Sequence, residues 1–302
     1  MSRPPGTIAF LGFGLIGGSI ARALASSASA SRGLDRPRLV AWSPTGRGPA
    51  LAVAEGVIDL AASSPSDALA GADLVVIAAP PLETIDLVHR IGGDLAEFVL
   101  PGAVVTDVAS TKTAILEAAS GAGIRYVGGH PMAGRETTGY ESAADDLFVD
   151  RPWVIVAPDG APQDAVELVT WLATKCQARP LPMSAQAHDA ATAAISHLPL
   201  VVAAALVECI GAGDEPFREA ARTLAATGWA SATRLALGDP RMGAGIVATN
   251  APEVAAGIRA LRDMLDGWLA LLEGDAGPDT GALIERFAKA RSQLTAMAGP
   301  RD

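Results

Sequence analysis

Among the four histidines of the chain, His130 stands where a general base is expected. It lies in the segment GGHPMAG, residues 128–134, directly after an apolar run that predicts a strand. Histidine suits proton transfer because its ordinary pKa lies near neutral pH. The flanking glycines leave space for a ligand and Pro131 stiffens the loop, so we predict that His130 accepts a substrate proton. The alternative is that His130 only stabilises its own loop.

A second polar segment, DVASTK at residues 107–112, also follows an apolar run. Its Ser110 hydroxyl can donate a hydrogen bond to a substrate hydroxyl or to His130. Its Lys112 ammonium can bind a substrate carboxylate. The alternative is a purely structural role beside the cap of the following helix. Because ligands bind at the carboxyl ends of the strands in open parallel sheets, we expect both segments to face the same cleft.

The sequence GFGLIG at residues 12–17 has the spacing of a dinucleotide-binding turn. The first glycine permits the tight turn, the second lets the pyrophosphate approach the backbone, and the third allows the helix to pack closely on the strand. The N–H groups at the start of the helix then point toward the phosphates. Such a motif alone is weak evidence, but here it follows a strand and opens a helix. The cofactor-binding residues predicted from it are Gly12, Gly14, Leu15, Ile16 and Gly17.

The second strand lacks the acidic residue that holds the ribose 2′-hydroxyl in many NAD sites. Ser43 stands there instead, followed by Thr45 and Arg47. A carboxylate would repel a 2′-phosphate, whereas hydroxyls and a guanidinium bind one. The sequence therefore favours NADP over NAD as cofactor. The alternative is that Arg47 is a solvated loop charge and that the ribose is held elsewhere.

The elements that would position these groups alternate between strand and helix through the first half of the chain. Apolar runs predict six strands, at residues 7–11, 39–42, 73–79, 103–108, 126–129 and 153–157. Continuous apolar strands indicate a sheet buried on both faces, as in the doubly wound α/β fold. Beyond residue 183 only Ala-rich helical runs follow. We therefore predict a dinucleotide-binding domain over residues 1–183 and an all-helical domain over residues 184–302.

Composition argues against several classes of function. The formal net charge of −10 disfavours nucleic-acid binding, which needs a basic surface. Cys176 and Cys209 lie in no CxxC pair and beside no histidine, so we expect no metal site and favour a reducing cytoplasm. Gly, Pro or charged residues interrupt the apolar stretches before about 18 residues, so we expect no membrane span. Pro199 is expected to kink its helix or to mark a helix start.

Five segments together resemble the prephenate/arogenate dehydrogenase family: residues 12–19, 107–112, 128–139, 195–199 and 225–234. The GGHPMAG and SHLP segments are the most specific, because a generic dinucleotide-binding enzyme would not carry both. The resemblance implies a Rossmann-type N-terminal domain and a helical C-terminal domain that forms a homodimer. It also implies oxidative decarboxylation of prephenate or arogenate in tyrosine biosynthesis. Ser43, where many members have Asp, resembles the NADP-using arogenate dehydrogenases.

The same resemblance implies roles for individual residues. His130 matches the residue that accepts the proton of the substrate hydroxyl, and Ser110 matches the one that orients it. Arg234 matches an arginine that grips a substrate carboxylate, although it can also be a surface charge on a helix. His197 matches a residue that lines the substrate pocket, or alternatively it only packs within its helix. Glu136 matches an acidic pocket residue that modulates access.

Three other functions stay open at this point. An amino analogue such as 4-amino-4-deoxyprephenate would need nearly the same site. A β-hydroxyacid dehydrogenase or imine reductase would place a catalytic Lys or Asp in the helical domain and would have no use for GGHPMAG. A sensor that binds NADPH without catalysis would have no need of Ser110, His130 and Arg234 together. An assay of NADPH formation with prephenate and with arogenate distinguishes these functions.

Overall fold

The computed structural model describes residues 4–30, 36–135, 137–275 and 277–297. Contacts divide the chain into two units, Met1–Ala251 and Pro252–Asp302. Within the described ranges, the first unit contains the strands and the candidate site residues. The domain boundary placed after residue 183 stays a prediction.

A five-stranded parallel sheet opens the chain. Its strands are β1 (Thr7–Leu11), β2 (Arg38–Trp42), β3 (Leu60–Ala61), β4 (Leu74–Ile77) and β5 (Val104–Asp107). They lie in the order β3-β2-β1-β4-β5, so the strand order reverses beside β1, between its neighbours β2 and β4. In this type of sheet, the crevice outside the carboxyl ends of the strands at such a reversal is where ligands bind.

Helices cover both faces of this sheet. They are α1 (Leu15–Ala30), α2 (Arg47–Ala54), α3 (Pro65–Leu69), α4 (Pro81–Gly92) and α5 (Thr113–Ala122), with a 3₁₀ turn at Ala96–Phe98. Successive residues of β1 enter different cores: Phe10 shares one cluster with Ile20 of α1, and Leu11 shares the other with Leu87 of α4. The predicted doubly wound arrangement is confirmed.

A second sheet contains β6 (Gly128–Pro131), β7 (Pro152–Val156) and β8 (Arg179–Pro182), with a 3₁₀ turn (Tyr140–Ser142) after β6 and α6 (Gln163–Lys175) before β8. β6 is antiparallel to β7, and a parallel bridge between Val105 and Tyr126 links the segment before β6 to β5. The six predicted strands are present. The sequence does not predict β3, which spans two residues, or β8, whose RPLP sequence is tolerated because β8 is an edge strand.

After β8, the described residues form helices joined by short turns. The helices are α7 (Ala185–Thr192), α8 (Leu198–Gly211), α9 (Glu215–Leu224), α10 (Thr227–Thr233), α11 (Pro240–Thr249), α12 (Ala251–Leu272) and α13 (Thr280–Met297), with a 3₁₀ turn at Arg234–Leu237. A π-helical turn, Ala193–His197, joins α7 to α8. Pro199 is the second residue of α8, which directly follows this π-helical turn. The helical backbone therefore continues through Pro199.

In the described part of the chain, the segment Ala185–Gly211 is long and apolar enough to cross a membrane, with a mean hydropathy of 2.0 in its 18-residue window. The sequence predicts that Gly, Pro or charged residues interrupt the apolar stretches before about 18 residues. Pro199 does stand within this segment, but the π-helical turn lets the helix continue past it. The expectation of no membrane span stays a prediction. Length and composition are weak evidence for a membrane span, since core helices of soluble proteins also meet them.

Candidate active site

Among the three motif glycines in the turn after β1, one, Gly14, has free space beside its backbone. Gly12 has a φ of +90°, and a Cβ there would lie 2.4 Å from the carbonyl oxygen of Ala78 at the end of β4. A Cβ on Gly17 would lie 3.0 Å from the carbonyl oxygen of Gly12. Nothing lies within 4 Å of a Cβ placed on Gly14. Close packing therefore requires the first and third glycines, whereas Gly14 leaves room for a ligand to approach the backbone.

A cleft of about 540 Å³ lies beside this turn. It is lined by parts of residues 12–14, 42–48, 78–90 and 139–141. The hydroxyl oxygen of Ser43 is buried there without a hydrogen-bond partner among the described residues. Buried polar atoms normally have a partner, so this hydroxyl fits a ligand oxygen. The open backbone at Gly14 and the start of α1, at Leu15 and Ile16, fit a pyrophosphate, so the cleft fits a dinucleotide.

The charges around the cleft are mixed. Arg47, at the start of α2, pairs with Glu141 across the cleft at 2.6 Å, and its side chain is 76% exposed. Thr45 also lines the cleft. From α4 come the side chains of Glu83, Asp86 and Arg90. The sequence alone gives no signal for Glu141 or the α4 residues, because their residue types and spacing are those of ordinary solvated positions.

His130 lies inside β6, paired with Val154 of β7, and not in the loop after the strand as the sequence predicts. The strand extends further than expected because GGHP pairs along β7 despite its glycines. The half-buried imidazole has its Nδ1 2.8 Å from Nε2 of His188 on α7. Burial lowers the pKa of His130 well below its ordinary value of 6.5; His188 and other basic groups lower it further, and Asp189 opposes them. His130 is therefore neutral at neutral pH, which is the form that accepts a proton.

A second contact extends from His188 to Asp189. Nδ1 of His188 lies 2.7 Å from Oδ1 of Asp189. The Asp189 carboxylate also accepts the backbone N–H groups of Lys112 and Thr113, both at 2.8 Å. Burial raises the pKa of Asp189, but hydrogen bonds from His188 and Thr113 outweigh burial and keep it below its ordinary value. One dipeptide on α7 thus contacts both His130 and the end of the segment that carries Ser110.

The start of that segment is held by Asp107, the last residue of β5. Its Oδ1 accepts the Tyr126 hydroxyl at 2.6 Å, and its Oδ2 accepts the N–H of Ala109 at 2.9 Å. Oδ2 also pairs with Nζ of Lys112, and neither side chain is exposed. Burial lowers the pKa of Lys112, and Asp107 opposes that effect. The half-buried Ser110 lies between these two anchored ends.

Lys112 differs here from its predicted role as a ligand of a substrate carboxylate. Its ammonium turns back into the interior, because a buried carboxylate at the end of β5 lies within its reach. In this arrangement it holds the segment 108–112 against the sheet, and its charge is already paired.

His197, the last residue of the π-helical turn, is 1% exposed. Its Nδ1 lies 3.1 Å from Nδ2 of Asn250, which also donates to the carbonyl oxygen of Asp189 at 2.8 Å. Its Nε2 is buried and has no hydrogen-bond partner in the described residues. Burial lowers the pKa of His197, whereas Asp189 and the backbone of Ser110 raise it. His197 therefore belongs to the same cluster as His188 and the Ser110 segment.

Two further residues are predicted from the sequence, Arg234 and Glu136. Arg234 begins the 3₁₀ turn after α10 and has an exposed side chain. Glu136 falls outside the described residues. Within the described ranges, no cluster of three or more His, Cys, Asp or Glu side chains could hold a metal ion.

Two family models match the chain and together cover most of it. Residues 45–181 match the nucleotide-binding domain of prephenate dehydrogenase. Residues 184–287 match the dimerization domain of prephenate dehydrogenase.

Individual proteins give the same result. The prephenate dehydrogenase of Bacillus subtilis (strain 168) is 30% identical over 272 residues, which cover 89% of this chain and 69% of that protein. The cyclohexadienyl dehydrogenase of Zymomonas mobilis is 29% identical over 304 residues, which cover 98% of this chain and 97% of that protein. The crystal structure of Synechocystis arogenate dehydrogenase has a TM-score of 0.75 and 28% sequence identity, and covers 95% of this chain and 99% of that one.

Proposed function

This chain belongs to the prephenate dehydrogenase family, and on that basis we propose that it catalyses the oxidative decarboxylation of prephenate or arogenate with a nicotinamide dinucleotide. One observation supports the proposal most directly. The dipeptide of His188 and Asp189 holds a neutral, half-buried histidine, His130, and the segment carrying Ser110 in one cluster. A site with a proton acceptor and a nearby hydroxyl donor suits oxidation of an alcohol.

The proposed reaction needs one base. His130 takes the proton of the ring hydroxyl as that carbon becomes a carbonyl carbon. When bound, the nicotinamide supplies the acceptor for the hydride from the same carbon. The bond from the ring to its carboxylate then breaks, and carbon dioxide leaves. The electrons of that bond aromatise the ring, and the ring oxygen regains a proton from His130 as the phenol forms.

Three residues are proposed to bind the substrate beside this base. Ser110 donates a hydrogen bond to the ring oxygen. Nε2 of His197, which is buried without a hydrogen-bond partner in the described residues, offers one further polar contact. Arg234 grips a carboxylate, a task for which the planar guanidinium is suited. Glu136 is proposed as an acidic neighbour of the substrate from its sequence position alone.

We further propose that the cofactor is NADP in preference to NAD. The orphan hydroxyl of Ser43, the nearby Thr45 and the exposed guanidinium of Arg47 support this preference. Glu141 opposes it, because its carboxylate pairs with Arg47 and would repel a 2′-phosphate. The preference therefore requires that Arg47 leave Glu141 for the phosphate, and a comparison of kcat/KM for the two cofactors tests it.

The helical part of the chain is proposed to form a homodimer. Ile195, Leu206 and Val207 are exposed on the segment Ala185–Gly211. Large apolar surfaces left open in this way are commonly covered by a partner. A second copy is the occupant favoured by the match of residues 184–287 to a dimerization domain. Sedimentation of the purified chain should give twice the monomer mass, and a monomer at micromolar concentration would contradict this assignment.

The activity is tested with one assay. The wild-type chain is mixed with NADP or NAD and with prephenate or arogenate, and reduced cofactor is followed by absorbance. Formation of reduced cofactor and of the decarboxylated aromatic product supports the proposal. Tight binding of the cofactor without turnover on either substrate would contradict it.

A further inference from the structure

We propose that His188 and Asp189 on α7 form a proton relay behind His130, in which His188 takes up the proton equivalent that His130 gains from the substrate. The relay deepens the proposed function, because it rests on His130 being the base. His188 and Asp189 are 1% and 2% exposed, so neither is a solvated surface group. His188 lies between His130 and Asp189 and contacts each of them at hydrogen-bond distance.

The hydrogen bonds determine which nitrogen carries each proton. Asp189 is ionised and can only accept, so Nδ1 of His188 carries a proton and donates it to Oδ1. In neutral His188, Nε2 is then the acceptor. Nδ1 of His130 must therefore donate to it, which leaves the lone pair of His130 on Nε2. The relay thus prepares Nε2 of His130 as the atom that receives the substrate proton.

The same contacts give the proton a lower-energy location. When Nε2 of His130 binds the hydroxyl proton, the Nδ1–H bond of His130 can break as an N–H bond forms at Nε2 of His188. The charge then rests on His188, which contacts the Asp189 carboxylate directly, whereas His130 does not. An opposite charge at contact distance in a buried site stabilises the charged imidazole. Asp189 stays anionic throughout, because two backbone N–H groups stabilise its carboxylate.

The other charged groups around the pair favour the same direction. The charges of Lys112 and His197 lower the pKa of His130 and so oppose a positive charge on it, whereas the charge of Asp189 raises that pKa. The charge of Lys112 is partly balanced by Asp107. These neighbours therefore disfavour a positive charge on His130. They disfavour it less when the proton has moved to His188, which lies beside Asp189.

Two substitutions separate a relay from a packing role. In His188→Gln, the amide can accept the His130 N–H but cannot take up a proton. In Asp189→Asn, the anion is removed. Matched controls are His89→Gln on the exposed side of α4 and Asp159→Asn in the exposed turn before α6. For each protein we would measure kcat, KM, cofactor affinity, thermal unfolding and the dependence of kcat/KM on pH.

Both relay variants are expected to lower kcat by about 10- to 100-fold, with substrate KM and cofactor affinity changed by less than about threefold. Asp189→Asn should also move the acid limb of the kcat/KM profile to lower pH, because Asp189 raises the pKa of His130 and its loss removes that effect. Nitrogen NMR of labelled histidine should place the proton of His130 on Nδ1 in the wild type. The two controls should leave every quantity unchanged.

Because Asp189 also holds the backbone of Lys112 and Thr113, Asp189→Asn can disturb the loop; His188→Gln keeps those bonds. Wild-type kcat in a folded His188→Gln variant would overturn the relay, as would a proton on Nε2 of His130. His130→Asn separates this failure from that of the proposed function. If His130→Asn is inactive while His188→Gln is fully active, the base assignment stands and only the relay is wrong. An active His130→Asn variant would overturn both.

Discussion

The carboxylate of Asp107 and the ammonium of Lys112 form an ion pair in which neither side chain is exposed to solvent. The pair closes the segment 108–112 into a loop whose far end is held by Asp189. Burying two charges is costly, and their attraction offsets that cost only when the remaining polar atoms are also satisfied. Asp107 meets this condition through hydrogen bonds from Tyr126 and Ala109. The ion pair of Asp107 and Lys112 therefore fixes the loop that carries Ser110.

Lys112→Met is predicted to destabilise the chain strongly, because it leaves the Asp107 carboxylate buried without its cation. Breaking a buried pair in this way costs about 3–5 kcal/mol in the free energy of unfolding. Urea denaturation measures the loss, and Lys175→Met on the exposed end of α6 is the control. The double variant Asp107→Asn with Lys112→Met should recover part of the loss. A loss below about 1 kcal/mol in the single variant would show that the pair is not buried as described.

Two glycines of the same turn should respond differently to a methyl group. Gly12→Ala places a Cβ 2.4 Å from a backbone oxygen at a positive φ, so it should lower stability by at least about 1–2 kcal/mol and abolish cofactor binding. Gly14→Ala meets no atom within 4 Å and should keep the wild-type thermal midpoint while weakening cofactor binding. Thermal melts and cofactor titrations of both variants test this. Equal loss of stability in the two variants would contradict it.

Features encoded by a local sequence pattern can be predicted for this protein, whereas contacts between distant segments cannot. Strands β1, β2, β4 and β5 can be predicted because each is an apolar run followed by a turn. The glycine spacing is equally local, since all three glycines lie within one turn of strand and helix. By contrast, the contact between His130 and His188 joins residues 58 positions apart, and no local pattern predicts it.

Lys112 shows a second limit. A lysine in a polar loop is ordinarily solvated, so the sequence favours an accessible ammonium. Only the burial of Asp107 at the end of β5 reveals that the ammonium turns inward. Ser43 shows the opposite case. Its place at the end of a strand is enough to predict a role in cofactor binding, and the structure places it in the lining of the cleft.

His130→Asn is predicted to lower kcat by about 100-fold or more while cofactor affinity stays within about threefold, because the asparagine amide is no base. In the wild type, the pKa of His130 lies below 6.5, so the base is free above that pH. Activity should therefore be constant through neutral pH and fall on acidification, with a midpoint below 6.5. The His89→Asn control should leave this profile unchanged. An acid limb centred above 6.5 would exclude His130 as the titrating group.

Arg234→Gln is predicted to raise the substrate KM by about 10- to 100-fold, since a charged hydrogen bond contributes about 1.5–3 kcal/mol. The cofactor KM should change little, because Arg234 is not among the residues that line the cofactor cleft. Steady-state kinetics with each ligand varied in turn measure the two constants. An exposed arginine of the same unit, Arg241, provides the matched control as Arg241→Gln. Equal effects of the two substitutions on the substrate KM would remove Arg234 from the substrate site.

The Arg47–Glu141 pair predicts how the cofactor preference can be altered. Glu141→Gln removes the carboxylate that competes with a 2′-phosphate for Arg47, so kcat/KM for NADP should rise by about tenfold while that for NAD stays unchanged. Arg47→Ala should lower kcat/KM for NADP by at least about tenfold with little effect on NAD. Glu97→Gln, in the exposed 3₁₀ turn after α4, is the control. A wild-type preference for NAD of about tenfold, equivalent to about 1.4 kcal/mol, would exclude the NADP proposal. If the wild type prefers NAD, the Glu141 carboxylate holds Arg47 away from the ribose. Glu141→Gln should then still raise the ratio of kcat/KM for NADP to that for NAD.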